Sequence, residues 1–146
     1  MKDALVIGGS GFIGSHLVER LINNGYKVVV LARRNSNVAF LKALGTELRF
    51  GDLLDKDSLA EAVKGVDIVF CAANIKPAGL SQLAYEKEIF RMHVEGTKNL
   101  LDVCRECGRR RIIYFSSVAA MGYEKGVSFY GDSFKERHID TYGKAK

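Results

Sequence analysis

Short apolar runs alternate along this chain with longer stretches in which apolar residues recur every three or four positions. Ala4–Ile7, Lys27–Ala32, Thr46–Phe50, Val66–Cys71 and Arg111–Ser116 have the length and composition of strands. The continuous Val28-Val29-Val30-Leu31 segment is the pattern of a strand covered on both faces. Between these runs, Phe12–Asn24 carries Ile13, Leu17, Leu21 and Ile22 on one helical face, and Gly25 ends it. Ser36 is placed to cap a short helix reaching Leu44. Asp55–Lys64 predicts another helix, with Asp57 as its candidate cap. After a loop around Pro77-Ala78-Gly79, one long helix is predicted from about Gln82 to Cys107, and Tyr142 opens a last one. Strands spaced by helices in this order imply βαβ units, and right-handed crossovers place helices on both faces of the sheet. The expected fold class is α/β, a doubly wound parallel sheet, with residues 1–146 forming a single domain.

Composition narrows the function. Of 146 residues, 47% are hydrophobic and 27% charged, ordinary values for a globular chain. Fifteen glycines against a single proline suit tight turns between strands and helices better than disorder. No apolar stretch approaches the length of a bilayer span, and the first residues are too short and too acidic for a secretory leader. Three cysteines make no disulfide framework. The expected location is the cytoplasm, with no membrane partner. The net charge of +5 comes mainly from scattered residues plus Arg33-Arg34 and Arg109-Arg110-Arg111. It suits an anionic ligand. There is no basic stripe interleaved with aromatics, so no nucleic-acid partner is expected.

The sharpest local signal follows the first strand: Gly8-Gly9-Ser10-Gly11-Phe12-Ile13-Gly14. It fits G-x-G-x-x-G from Gly9 and G-x-x-G-x-x-G from Gly8. In either register one glycine makes the turn, Gly11 lets backbone approach a pyrophosphate, and Gly14 lets helix and strand pack closely. The helix start then aims its amides and positive dipole end at phosphate. The pattern predicts the dinucleotide-binding turn of a Rossmann-type sheet, the plainer reading being a merely structural βα turn.

Two positions bear on which dinucleotide. A NAD site usually has an acidic residue at the end of the second strand to hold the ribose hydroxyls. Here that strand ends Leu31-Ala32-Arg33-Arg34. Arg33 can grip a 2′-phosphate, so NADP is preferred over NAD, the plainer reading being an exposed loop charge. Asp52, in Gly51-Asp52-Leu53, can accept from an adenine amino group or serve as a turn or cap aspartate.

The end of the fifth strand and the end of the chain add a second kind of chemistry. Phe115-Ser116-Ser117-Val118-Ala119-Ala120-Met121-Gly122 precedes Tyr142-x-x-x-Lys146, with 25 residues from Ser117 to Tyr142 (142 − 117). A spacing of four places Tyr142 and Lys146 one turn apart on one helical face. A free phenol titrates near pH 10, and an adjacent ammonium favours its anion, which lets tyrosine act as a base near neutrality. Ser117 can hydrogen-bond the same substrate oxygen, with Ser116 as the fallback.

With the glycine turn, these motifs resemble the extended short-chain dehydrogenases/reductases, a group that includes sugar epimerases and dehydratases, dihydroflavonol reductases and 3β-hydroxysteroid dehydrogenases. Weaker matches are Cys71-Ala72-Ala73 and Val94-Glu95-Gly96-Thr97. The resemblance covers the whole chain but only the first half of such an enzyme, ending at its lysine. It implies Ser117, Tyr142 and Lys146 as catalytic residues, Lys146 also holding the nicotinamide ribose. It implies Gly8, Gly11, Phe12, Ile13, Gly14, Arg33, Asp52, Leu53, Ala72 and Ala73 as cofactor-binding residues beside Tyr142 and Lys146. The implied reaction is hydride transfer between NADP or NAD and an alcohol, carbonyl or nucleotide-sugar substrate. A homodimer of the whole protein is compatible with it. The alternative is a dinucleotide-binding sensor without turnover. Such enzymes commonly have asparagine where His93 stands, and histidine can make a similar hydrogen bond or be a plain helix residue.

Other features are set aside. Cys104-x-x-Cys107 sits at a helix C-terminus, the wrong end to lower a thiol pKa, and two thiols make no zinc site, so no metal is expected. Phe129-Tyr130 and Phe134 either line a substrate pocket or cover the sheet. A last helix of about one turn is expected to fray, leaving the chain alone with little or no turnover.

Overall fold

The computed structural model describes residues 2–75, 79–108, 110–122 and 140–146. The chain divides into two compact units, Met1–Asn74 with Gly96–Phe115 and Ile75–Glu95 with Ser116–Lys146.

The first unit holds a five-stranded parallel sheet in the order β3-β2-β1-β4-β5. Its strands are β1 (Asp3–Ile7), β2 (Lys27–Ala32), β3 (Glu47–Phe50), β4 (Ile68–Cys71) and β5 (Arg111–Tyr114). β1 is central, with Val6 opposite both Val30 and Phe70. Four helices of this unit connect the strands: α1 (Phe12–Asn23), α2 (Ala39–Ala43), α3 (Lys56–Ala62) and α5 (Gly96–Glu106).

Strand side chains alternate between two buried faces. Ala4, Val6, Val28, Val30 and Phe70 pack with Val18 and Leu21 of α1 and Leu41 of α2. Leu5, Val29 and Val69, facing the other way, are equally buried, as are Leu59 of α3 and Leu100 of α5. α3 and α5 pack on each other there, and the Lys56–Asp102 ion pair at 2.8 Å joins them. Burial on both faces is why the valine run of β2 is unbroken.

Local details depart from the sequence expectations. The buried stripe of α1 is Gly14, Val18 and Leu21; Leu17 and Ile22 flank the core, while Ile13 is exposed. Ile13 lies in the first turn, next to the glycine loop and beyond the reach of the sheet. α2 starts at Ala39 rather than after Ser36, and the Asn37 side chain accepts from its first amide at 3.2 Å. α3 is capped by Asp55, not Asp57, with Asp55 Oδ1 accepting from Asp57 N at 3.1 Å. The C-terminus of α3 is held by Arg49 of β3, whose Nη1 donates to the carbonyls of Glu61, Ala62 and Lys64 at 2.7–3.2 Å.

The second unit contains α4 (Gln82–Phe90), a π-helical turn (Arg91–Glu95), a 3₁₀ turn (Val118–Met121) and α6 (Thr141–Ala145). The single long helix expected from Gln82 to Cys107 is therefore α4 and α5, separated in sequence by the π turn, and α5 ends at Glu106. α6 packs on both α4 and the 3₁₀ turn. Pro77-Ala78, Phe129-Tyr130, Phe134 and His138 lie outside the described residues.

Candidate active site

The glycine turn is built so that backbone meets backbone. Gly8 has φ +86°, a left-handed conformation that disfavours any side chain. A Cβ on Gly8 would also lie 2.7 Å from Ala73 N and 2.8 Å from the Ala72 carbonyl, and one on Gly14 would overlap the Gly8 carbonyl. Gly11 N donates to Gly8 O at 3.0 Å, closing the turn. Gly8, Gly11 and Gly14 thus make the turn itself, whereas Gly9 packs beneath it against Val30.

α1 then starts at Phe12, behind a Gly11 N-cap that has no side chain, and Phe12 and Ile13 are exposed at 82% and 57%. Uncapped amides at a helix start, in a cradle that a Cβ would fill, fit the diphosphate of a dinucleotide. Ala72 and Ala73, at the exit of β4, form the neighbouring wall of the turn.

At the end of β2, Ala32 is buried while Arg33 and Arg34 are exposed. Asp52 is a turn aspartate: its Oδ1 accepts from Leu54 N at 2.9 Å, and Ser58 Oγ accepts from its amide at 3.1 Å. Leu53 is buried and packs against Gly96 of α5, which has no Cβ to obstruct it.

The second unit brings the other candidates together. Asp140 caps α6, its Oδ1 accepting from Gly143 N at 2.7 Å, so the helix begins at Thr141, one residue before Tyr142. Lys146 Nζ lies 5.9 Å from the centre of the Tyr142 ring, as the four-residue spacing predicts. Ser117 caps the 3₁₀ turn, its Oγ accepting from Ala119 N at 3.2 Å. A hydroxyl used as an acceptor keeps its hydrogen to donate. Ser116 is exposed, and its Oγ donates toward Lys146 O at 3.5 Å.

Two residues of this unit were missed as site residues. Gly143 packs so tightly that a Cβ there would overlap the Ala119 carbonyl, which seats α6 directly on the 3₁₀ turn carrying Ser117. His93, in the π turn, is the buried polar side chain among the described residues, 3% exposed. Its ring meets Tyr142 edge to face, centroids 5.8 Å apart and planes at 75°. Burial first, and then the Lys146 charge, push the His93 pKa down to about 4, so the imidazole is neutral at neutral pH.

The cysteines are not part of this chemistry. Cys71 and Cys104 are buried, and burial raises the Cys104 pKa to about 11. Cys107 is only half-buried. No cluster of metal-ligating side chains occurs among the described residues.

The model of the NAD-dependent epimerase/dehydratase family matches residues 4–146. The chain belongs to that family. Among its relatives, the decarboxylating sterol-4-alpha-carboxylate 3-dehydrogenase of Dictyostelium discoideum is 31% identical over 142 residues, 97% of this chain and 41% of the relative. The putative dihydroflavonol 4-reductase of Synechocystis is 34% identical over 145 residues, again 97% of this chain and 41% of the relative. The UDP-glucose-4-epimerase of Stenotrophomonas maltophila, solved with bound NAD and formylated UDP-arabinopyranose, superposes with a TM-score of 0.82 at 26% identity, over all of this chain and 46% of that one. The family member described here thus spans less than half the length of these relatives. The match bears out the resemblance to extended short-chain dehydrogenases/reductases and the Rossmann-type parallel sheet. No helix among the described residues is long and apolar enough to cross a membrane.

Proposed function

We propose that this chain is the cofactor-binding and acid/base part of an NADP-dependent oxidoreductase, epimerase or dehydratase acting on an alcohol, carbonyl or nucleotide-sugar substrate. The observation that carries the reading is the Tyr142 ring with the Lys146 ammonium 5.9 Å away, in a chain that also has an uncapped glycine turn. When bound, the nicotinamide supplies hydride donation and acceptance.

The chain's own residues supply position, charge and proton transfer. Gly8, Gly11 and Gly14 bare the backbone that receives the diphosphate, and the amides of Phe12 and Ile13 donate to it. Arg33, which follows Ala32 where a NAD site usually has an acidic residue, pairs with the 2′-phosphate that distinguishes NADP. Asp52 is taken up in its own turn, which leaves its second carboxylate oxygen for the adenine amino group. Leu53, Ala72 and Ala73 supply apolar and backbone walls.

Tyr142 exchanges a proton with the substrate oxygen, with the Lys146 ammonium beside its ring. Lys146 also holds the nicotinamide ribose. Ser117 is the serine of choice, because its hydroxyl hydrogen can donate to the substrate oxygen as charge develops there. Ser116 already directs its hydroxyl toward Lys146 O. We further propose that the chain forms one cytoplasmic domain, that the whole protein is a homodimer, and that residues 1–146 alone turn over little substrate.

Calorimetric titration of the chain with NADP and NAD tests the cofactor reading. NADP is expected to bind more tightly, and Arg33→Ala to weaken NADP by about 10- to 100-fold, the worth of a charged hydrogen bond, with NAD little affected. A clear preference for NAD overturns the arginine assignment, and binding of neither overturns the cradle.

A further inference from the structure

We propose that Asn99 of α5 is a positioning residue. Through the Leu53–Leu54 peptide it aims the Asp52 carboxylate at the base of the dinucleotide, and so makes the chain prefer adenine to a base without the amino group. The inference rests on the reading above that Asp52 accepts from that amino group. All the residues involved belong to the first unit.

Asp52–Asp55 is a turn, closed by Asp55 N donating to Asp52 O at 3.0 Å. Within it the Leu53–Leu54 peptide is engaged at both ends. Its N–H, that of Leu54, donates to Asp52 Oδ1 at 2.9 Å. Its carbonyl, that of Leu53, accepts from Asn99 Nδ2 at 3.4 Å. A peptide group is planar, so turning the carbonyl away from Asn99 swings the N–H away from the carboxylate. Fixing one end therefore fixes the direction of the other. The main chain of Asp52 is anchored separately, its amide donating to Ser58 Oγ at 3.1 Å. What Asn99 adds is the orientation of the carboxylate.

One face of α5 holds this segment in a row. Gly96 receives the Leu53 side chain, since a Cβ there would lie 2.8 Å from Leu53 Cγ and Cδ2. Asn99 takes the Leu53 carbonyl. Asp102 pairs with Lys56 Nζ at 2.8 Å. Steps of three residues keep all of them on one side of the helix. Of these, Asn99 is the one that meets the peptide bonded to Asp52. Asparagine inside a helix costs propensity that alanine or leucine would not. Here it is half-buried and gives its amide to a carbonyl of another segment. At 3.4 Å that bond is long, so its loss is expected to change stability little. A carboxylate turned from the base forfeits a charge-assisted hydrogen bond, worth about 10- to 100-fold in affinity.

The test is calorimetric titration of the chain with NADP and with its hypoxanthine analogue, which has a carbonyl in place of the amino group. The unsubstituted chain is expected to bind NADP about 10-fold or more tighter than the analogue. In Asn99→Leu that ratio is expected to fall to about 3-fold or less, through weaker binding of NADP. Asn99→Ser, too short to reach the Leu53 carbonyl, is expected to behave alike, and it decides if Asn99→Leu fails to fold. Without ligand, the Leu54 amide is expected to exchange hydrogen several-fold faster in either variant. An unchanged ratio, equal weakening of both ligands or unchanged Leu54 exchange overturns the proposal. Asp52→Ala separates the two levels. A ratio lost in Asp52→Ala but kept in Asn99→Leu removes Asn99 and leaves the Asp52 reading standing. An unsubstituted chain that binds both ligands alike, or neither, overturns the Asp52 reading and the role of Asn99 with it.

Discussion

Single residues set both the chemistry and the acid tolerance of this chain. His93 has an unfolded-state pKa of 6.5 and a folded one of about 4. Between those values the unfolded chain binds more protons, so stability is intact above pH 6.5 and is lost progressively as pH falls toward 4. Urea denaturation at pH 7, 5.5 and 4.5 is expected to show this slope, and His93→Phe is expected to flatten it. Parallel pH dependences in the two proteins would remove His93 from the account. The residue itself was visible in the sequence, but its burial was not. Helical periodicity places position 93 by counting turns, and a π turn shifts the count. By contrast, Tyr142 and Lys146 were legible because four residues make one turn in any α-helix.

At the scale of elements, spacing predicted existence and type well and ends poorly. Four of the five strands fall within their predicted runs and β1 begins one residue earlier, at Asp3, because burial on both faces forces a continuous apolar stretch. The ends moved by one to three residues where side-chain caps decided them. Asp55, Asp57 and Asp140 are chemically alike, and only the path of the chain selects Asp55 and Asp140 as caps. Asp140 stands three residues before the Gly143 amide it accepts from, a spacing that could have marked the start of α6. Gly143 illustrates competition within one element. Alanine would add about 1 kcal/mol of helix propensity, while forcing a methyl into packed backbone costs about 1–3 kcal/mol. The clash with Ala119 should win, so Gly143→Ala is expected to lower stability in urea denaturation. A more stable variant would show that α6 does not bear on the 3₁₀ turn.

Across the molecule, the sheet sets the gradient of stability. β1 is paired on both sides and buried on both faces, and β2 shares most of that protection. Amides of Ala4–Ile7 and Val28–Leu31 are expected to exchange hydrogen slowest, at the rate of global unfolding, and those of α6 much faster. Equal protection in α6 and β1 would contradict this. The fold class was legible from strand–helix alternation alone, since parallel strands need crossovers and crossovers need helices. The division into two units was not, because it depends on which segments pack together across long gaps in sequence.

The approach of Gly8 to the peptide between Ala72 and Ala73 limits how this protein can be redesigned. The exits of β1 and β4 already stand at bare-backbone spacing, so trimming loop side chains cannot widen the gap between them. Under the proposed cofactor reading, a bulkier ligand would require respacing two central strands, and that would disturb the pairing of β1. Under the same reading this turn tolerates as little change as the core beneath it, and new cofactor specificity is more readily engineered in the exposed arginines after β2.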